Sequence, residues 1–441
     1  MRSAFRIGAA VAAVTTAALI ATGCSAGAAG STEETGTADH PVELTYWAWA
    51  PNLDKVVDVW NKAHPEIHVT VNKQDGGDPA ITKLLTAIKA GSGAPDLIQA
   101  EYQKIPTLVA SDALADISGV VDKGSLSGAF SKSAWDAVTL GGDAVYAVPQ
   151  DTGPMMFFYR DDLFQKFGLT VPTTWDQYAD TATKLHAADP SAYLGTFSAN
   201  DAGWFAGLAQ QAKAEWWSTS GEAWSVGIDK DATQKVAKYW GGLVADGSID
   251  NKPMYTPEWN AGLNNGTQAG WIGAVWGPGV LSGNAADTAG KWKAAPLPNW
   301  DAAAPSNGNW GGSSTAVTTQ SKHQKAAAEF ATWLNTDKDA VAALVKQTGI
   351  YPADTKAAAS VLTASPDFFK NQSDFYDVAA TAAKQVAPFG YGPNVNVAFS
   401  AYNDEFAKAA QARTVDAFSA AVTAMQKTTL DDLKSSGFKT K

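Results

Sequence analysis

The alternation of β-rich and helical segments after residue 41 is the feature that most constrains the fold. Residues 42–47 and 67–71 have the composition and period of strands, and residues 96–98 are typical of a third strand. Helical spacing of apolar residues lies between them, bounded by Pro51, Pro65 and Gly91. This order predicts an α/β fold with a mostly parallel sheet covered by helices on both faces.

Ligands of such sheets bind outside the carboxyl ends of the strands. Trp49, Asp75, Glu101 and Tyr102 follow the three predicted strands, so we expect them near a ligand. A structural alternative remains open for each, because Trp49 can pack on the first helix and the other three can cap helices.

The N-terminus has the layout of a secretory signal, with Arg2 and Arg6 before an apolar run at 7–20 and small residues before Cys24. The run is too short to span a bilayer, which takes about 20 apolar residues. The end of this segment resembles the bacterial lipobox, which implies a signal peptide over 1–23 and a lipidated Cys24 at the extracellular face of the membrane. An ordinary signal peptide with an incidental cysteine is the alternative. Residues 24–40 are small and polar, and we expect a flexible tether.

The remaining chain of about 400 residues is longer than one hydrophobic core usually supports, so two lobes are expected. The leader holds two of the 33 Lys and Arg residues and none of the 44 Asp and Glu residues, which leaves a net charge of −13. An acidic surface argues against nucleic acid and anionic lipid as ligands, and leaves a neutral ligand open.

Tryptophan is concentrated in one stretch, with 11 of the 17 between Trp204 and Trp310. A buried indole N–H needs a hydrogen-bond partner, so a core is not normally filled with tryptophan. We expect roughly half of these residues in the core and the others on ring-stacking surfaces. Trp276, flanked by glycines, is the first candidate for stacking, and Trp204, Trp224 and Trp259 are further candidates.

Four segments carry a family resemblance: residues 146–164 (YAVPQDTGPMMFFYRDDLF) with 172–176 (PTTWD), 274–279 (AVWGPG), 310–314 (WGGSS) with the helix after it, and 349–353 (GIYPA). In this order they resemble the carbohydrate-binding proteins of bacterial ABC importers, the extracellular solute-binding family that includes the maltose-binding protein. The first and third segments look like the family's crossings between lobes.

This resemblance implies a two-lobed periplasmic-binding-protein type II (Venus-flytrap) fold. The first lobe would hold 41–150 and about 310–385, and the second 151–309 and about 386–441. It implies a monomer without a cofactor that closes around a sugar and presents it to ABC permease subunits driven by a cytoplasmic ATPase. It also adds the following candidate ligand contacts: Thr152, Gly153, Gly277, Trp310, Gly312, Tyr351, Tyr391 and Tyr402.

A sugar presents an apolar face of C–H groups and a rim of hydroxyls, which aromatic rings and planar polar side chains match. Asp151 is the first candidate for a hydroxyl acceptor, because it lies at the expected lobe crossing. The alternative is a turn-stabilising Asp that binds its own backbone. Several possible stacking platforms indicate an oligosaccharide more than a monosaccharide.

No catalytic or metal site is expected. The five histidines are dispersed, and the sequence shows no nucleophile elbow or phosphate-binding loop. A secreted glycoside hydrolase is the rival from another class, with Asp161 and Asp162 as a possible carboxylate pair; before a helix such residues more often serve caps and the dipole. A non-sugar solute (peptide, polyamine or anion) is the other alternative, and an anion would use Arg160, Lys252 or Lys291.

Overall fold

The computed structural model describes residues 36–221 and 223–441. The predicted leader, Cys24 and most of the tether lie outside the described residues. Within the described ranges, no helix is long and apolar enough to cross a membrane.

The predicted alternation at the start of the domain is confirmed. It consists of β1 (Val42–Ala48), α1 (Leu53–Ala63), β2 (Ile67–Lys73), α2 (Asp78–Ala90) and β3 (Leu97–Glu101). Gly91 ends α2 in the left-handed conformation, with φ of 72°, which glycine adopts without strain. Three short helices follow, α3 (Ile105–Ala110), α4 (Lys123–Ala129) and α5 (Lys132–Thr139).

The middle of the chain begins with the long strand β4 (Ala147–Arg160). It continues with α6 (Asp161–Phe167), α7 (Trp175–Ala188), α8 (Ala202–Gln211), β5 (Trp217–Ser220), β6 (Ala223–Val226), α9 (Asp231–Asp246), α10 (Pro257–Asn265), β7 (Gly270–Ala274), α11 (Gly277–Asn284), β8 (Trp292–Pro296) and β9 (Asn309–Val317). The Thr174 side chain accepts the backbone N–H of Gln177 and so caps the start of α7.

The last part of the described chain is helical. It holds α12 (Gln324–Thr336), α13 (Lys338–Thr348), α14 (Thr355–Val361), α15 (Phe375–Lys384), α16 (Val395–Ala412) and α17 (Val415–Ser435).

The main sheet has the strand order β2-β1-β3-β9-β4, and β4 continues beyond it to pair with β7 and β8. Strand β1 is parallel to β2 and β3, whereas β9 is antiparallel to both β3 and β4. The prediction of a mostly parallel sheet is therefore wrong. Strand β9 enters the sheet from the other lobe, so it runs against its neighbours.

Strand β4 passes from one lobe to the other without a break. Its first half pairs with β9, and its second half pairs antiparallel with β7 and β8. Residues 150–154, which include Asp, Gly and Pro, belong to this strand, with register shifts between Pro149 and Asp151 and between Thr152 and Pro154. Such irregularities bend a strand where it changes direction.

Two separate hydrophobic cores define the two lobes. The first core is built from β1 to α5, the first half of β4, the end of β9, and α12 and α13. The second holds the rest of β4 and most elements from α6 to β8, together with α15, α16 and α17. Residues from Phe368 to Ala382 were expected in the first lobe, but they pack in the second core. Their apolar faces cover β4 and β8.

Most tryptophans of the rich stretch are core residues, more than the half expected. Eight of the eleven are buried: Trp204, Trp216, Trp217, Trp240, Trp259, Trp271, Trp292 and Trp310. Several indole N–H groups find partners inside the lobe; Trp204, for example, donates to the Ile272 carbonyl oxygen at 3.1 Å and Trp216 to Thr233 Oγ1 at 2.9 Å. These hydrogen bonds offset the cost of burying Trp204 and Trp216, whereas among the described residues the buried Nε1 atoms of Trp217, Trp240 and Trp259 have no hydrogen-bond partner.

Candidate ligand-binding site

A cavity of about 1010 Å³ lies between the two lobes. Its first-lobe lining includes Trp49, Glu101 and Lys104, and its second-lobe lining includes Asp201 and Trp276. The crossing strands β4 and β9 contribute residues at its base. This volume is at the upper end of the range typical of small-molecule sites.

Asp151 occupies the base of the cavity, where β4 pairs with β9. Its Oδ1 accepts the backbone N–H of Ser313 at 2.8 Å and the hydroxyl of the same serine. Burial raises the pKa of Asp151 to about 6, and the Ser313 hydrogen bonds limit that rise. The carboxylate is thus held in one orientation by the partner crossing strand.

A buried polar network connects Asp151 to Trp49, the aromatic residue that lines the cavity from the first lobe. Gln99 Oε1 accepts the backbone N–H groups of Trp49 and Ala50, each at 3.1 Å. The Gln99 amide nitrogen donates to Gln150 Oε1 at 2.9 Å and to Ser313 Oγ at 3.0 Å. Ser313 in turn holds Asp151, so one network positions both a ring and a carboxylate of the cavity.

The half-buried Trp49 ring rests on the loop after β2. A Cβ placed on Gly76 would lie 3.2–3.5 Å from three atoms of this ring. A side chain at Gly76 would therefore press on the ring and displace it by a few tenths of an ångström. The absence of a side chain at Gly76 leaves room for Trp49 to line the cavity.

The second-lobe wall is a cluster of aromatic rings. Trp276 and Trp310 meet edge to face, with centroids 4.7 Å apart, and Trp271 lies 5.8 Å behind Trp276. The Trp276 indole N–H donates to the Trp310 carbonyl oxygen at 2.8 Å. This hydrogen bond fixes the half-buried Trp276 ring to β9, so its position depends on the crossing strand.

Asp201 and Tyr255 form a second polar corner on the same wall. Asp201 caps α8, and its Oδ1 accepts the Trp204 backbone N–H at 2.9 Å. Burial raises the pKa of Asp201 to about 6, while hydrogen bonds from Trp204 and the Trp310 side chain oppose the rise. Tyr255 is 44% exposed and has a φ of 66°, a strained value for a bulky residue that is typically found at functional sites.

The structure brings eight of the candidate residues predicted from sequence into this cavity. They are Trp49, Glu101, Asp151, Trp276, Trp310, Gly312, Tyr351 and Tyr391. The negative charge of Glu101 contributes, after burial, to raising the pKa of Tyr391. Residues of both lobes therefore interact across the cavity.

Three aromatic candidates are wrong because they are buried in the second core. Trp204 and Trp259 are 1% and 2% exposed, and Tyr402 is fully buried, with its hydroxyl donating to the Ser198 carbonyl oxygen at 2.9 Å. The half-buried Trp224 also lies away from the cavity, on a hairpin whose backbone pairs with Lys439 and Lys441.

The other candidates lie beside the cavity without lining it. Thr152 faces a second cavity of about 350 Å³, because neighbouring strand residues point to opposite sides. Asp75 is exposed to solvent in the loop after β2. The Tyr102 hydroxyl donates to the backbone carbonyl oxygen of Asp151 at 2.9 Å and does not line the cavity. Gly153 and Gly277 are packing residues: a Cβ would lie 2.1 Å from the Trp310 oxygen and 2.6 Å from the Phe158 ring, respectively.

Sequence reasoning missed several lining residues, notably Asp201, Tyr255 and Lys104. The Asp before the apolar run of α8 is a readable N-cap pattern, but its approach to the cavity is a tertiary effect. The left-handed backbone of Tyr255 has no sequence indication.

Asp161 and Asp162, the carboxylate pair considered for a hydrolase, form ion pairs with neighbouring cationic side chains. Asp162 forms a two-point ion pair with Arg160, at 2.7 and 2.8 Å, and Asp161 lies 3.2 Å from Lys293. Neither carboxylate lines the cavity.

Two lobes joined by crossing strands, with aromatic rings and carboxylates facing a shared cavity, are the architecture of a two-lobed binding protein. A family model described as bacterial extracellular solute-binding protein matches residues 45–341, more than half of the chain. The chain therefore belongs to the bacterial extracellular solute-binding protein family. The predicted family and the two-lobed fold are confirmed.

Relatives of known ligand are similar to most of the chain. The arabinooligosaccharide-binding protein of Bacillus subtilis (strain 168) is 25% identical over 324 residues, covering 71% of this chain and 72% of that protein. The galacto-N-biose/lacto-N-biose I-binding protein of an ABC transporter from Bifidobacterium longum, solved with lacto-N-biose, is 29% identical. It has a TM-score of 0.81 and covers 91% of this chain and 99% of that chain. An ABC-transporter-associated binding protein from B. animalis subsp. lactis Bl-04, solved with β-1,6-galactobiose, is also 29% identical, with a TM-score of 0.78 and coverage of 91% and 100%.

Proposed function

We propose that this protein is the lipid-anchored, extracellular sugar-binding component of an ABC importer. It captures an oligosaccharide by closure of its lobes and delivers it to a membrane permease without altering it chemically. The observation that carries this proposal is the cavity in which Trp49 of one lobe and Trp276 of the other accompany the carboxylates Asp151 and Asp201.

The aromatic rings suit the apolar faces of sugar rings, and the carboxylates suit the hydroxyl rim. A carboxylate held by Ser313 or by the α8 N-terminus is already oriented and desolvated, so it accepts a sugar hydroxyl without reorganising. Rings on two lobes complete the site only when the lobes approach each other, which couples binding to closure.

The names of similar proteins support an oligosaccharide. Those names give arabinooligosaccharide, lacto-N-biose and β-1,6-galactobiose as ligands. A cavity of about 1010 Å³ with stacking residues on both sides has room for more than one sugar ring.

Delivery to a permease requires the protein to stay at the membrane, which is the role proposed for Cys24. A lipid on this residue and the tether over 24–40 would keep the binding domain close to the membrane. The effective concentration of the domain at its permease would then be high without any added affinity.

A thermal-shift and tryptophan-fluorescence screen of the purified protein tests the proposal. The panel holds arabinobiose, lactose, lacto-N-biose and β-1,6-galactobiose, with a peptide mixture and spermidine as the non-sugar arms. We expect at least one sugar to raise the melting midpoint, because a ligand bound only by the native state stabilises it. If no sugar raises the melting midpoint but the peptides or spermidine do, sugar binding is overturned. Chromatography of the same sugars after incubation should show no cleavage products; their appearance would favour a hydrolase.

A further inference from the structure

The ionisable lining of the cavity is strongly biased towards negative charge. Among the described residues it includes the four carboxylates Glu101, Asp151, Asp201 and Asp367, and one cationic side chain, Lys104. The Lys104 ammonium is engaged: it donates to Asn396 Oδ1 and lies 5.6 Å from the centroid of the Phe399 ring. Lys104 is also only 3% exposed, so its charge is poorly placed to meet an anionic ligand.

The two inner carboxylates are stabilised by neutral donors. Asp151 is held by Ser313, and Asp201 by Trp204, Gly203 and the Trp310 side chain. Burial raises the pKa of each to about 6, so both carry a charge at pH 7.5. Neutral hydroxyls can donate to these oxygens, whereas a further anion must be brought close to two half-buried negative charges.

We propose that the cleft selects neutral oligosaccharides and rejects those in which a C6 hydroxymethyl group is replaced by a carboxylate. This inference rests on the proposed function and adds the chemical class of the sugar. Two like charges about 4–6 Å apart at the effective dielectric of a protein site correspond to roughly 100-fold or more in affinity. The exclusion is therefore strong enough to define the ligand class.

Isothermal titration at pH 7.5 tests the inference with matched probes. The neutral probes are lactose, lacto-N-biose and β-1,6-galactobiose. The acidic probes are the same sugars with the terminal C6 oxidised to a carboxylate. The methyl esters of those acids are neutral again and have nearly the same shape as the acids. We expect each bound neutral sugar to lose about 100-fold in affinity on oxidation and to recover most of it as the ester. An acid that binds as tightly as its neutral parent, or an acid that binds when no neutral probe does, would overturn the inference while leaving sugar binding intact. Heat from none of the probes would instead count against the proposed function.

A charge-removing variant identifies the source of the selectivity. Asp201→Asn keeps a good helix cap, so the lobe should still fold. The neutral-to-acidic affinity ratio should fall by about tenfold or more in this variant, since one of the two half-buried charges is gone. Asp176→Asn removes the same charge from an exposed position outside the cavity and should leave the ratio unchanged. Equal ratios in the native protein and in Asp201→Asn would overturn the electrostatic explanation.

Discussion

Gly153→Ala tests the crossing of the two strands at the base of the cleft. A Cβ at this position would lie 2.1 Å from the Trp310 carbonyl oxygen and 3.3 Å from Trp276 Nε1. The same carbonyl accepts the Trp276 indole N–H at 2.8 Å. One methyl group therefore pushes β9 away from β4 and weakens the hydrogen bond that holds the Trp276 ring.

The expected cost has two parts. Inserting a methyl group into a packed region costs about 1–3 kcal/mol, and the weakened hydrogen bond adds up to about 1 kcal/mol. The free energy of unfolding should therefore fall by about 2–4 kcal/mol, measured by urea unfolding with tryptophan fluorescence as the probe. Sugar affinity should fall as well, because the ring that lines the cleft moves with β9.

Gly242→Ala is the matched control for this variant. Gly242 lies inside α9, and a Cβ there meets no other atom within 4 Å. The change should leave sugar affinity unaltered and stabilise the protein by about 0.5–1 kcal/mol, since glycine weakens a helix interior. A Gly153→Ala protein with native stability and native affinity would refute the reasoning about the crossing.

Three further predictions concern the charges of Asp151 and Asp201 and the attachment of the protein to the membrane. Asp201→Asn should weaken sugar binding by about 1 kcal/mol, roughly fivefold in titration, because a charged acceptor becomes a neutral one; an unchanged affinity would remove Asp201 from the site. Asp151 and Asp201 have folded pKa values of about 6 against the usual 3.8, so the stability they contribute is present below about pH 4 and lost as pH rises through 6. The melting temperature of the unliganded protein, relative to the double Asn variant, should thus fall between pH 4 and pH 6, and a rise would contradict the assignment. Cys24→Ser should release the protein into the medium with unaltered sugar affinity, whereas continued membrane association in fractionation would rule out the lipid anchor.

Much of the fold was predictable because local periodicity determines it. The alternation from β1 to β3 and the start of α7 at Thr174 follow directly from spacing and capping. Strand β4 was not predictable from its Asp, Gly and Pro residues, since these residues favour turns. Pairing with β9, which lies about 160 residues further along the chain, keeps this segment extended.

The candidate site was predictable only in part. Asp151 was identified through the family resemblance, Trp276 through its flanking glycines, and Trp49 through its place after a strand. Trp204 and Trp259 were misassigned because their burial depends on tertiary packing: Trp204 donates to a carbonyl oxygen of β7, and Trp259 packs 5.5 Å from Trp271. Asp201 was missed for the same reason.

The glycines around Trp276 illustrate this limit. They suggested an open ring, yet Gly273 and Gly277 instead accommodate the Phe158 side chain, which a Cβ would approach to within 2.9 and 2.6 Å. Trp276 lines the cavity because its N–H is held by β9. The place of Trp276 in the cavity wall therefore has a different physical cause from the flanking glycines that suggested it.

The central claim is that one sugar is held between rings of both lobes. Isothermal titration of Trp49→Ala and Trp276→Ala with the oligosaccharide found in the screen tests it most directly. We predict one binding site per chain and a loss of about 1–3 kcal/mol in each variant, the range known for stacking on aromatic side chains. Trp135→Ala, which removes a half-buried ring of the first lobe outside the cavity, should bind as the native protein does. Native affinity in either cleft variant would contradict the claim that both lobes hold the ligand.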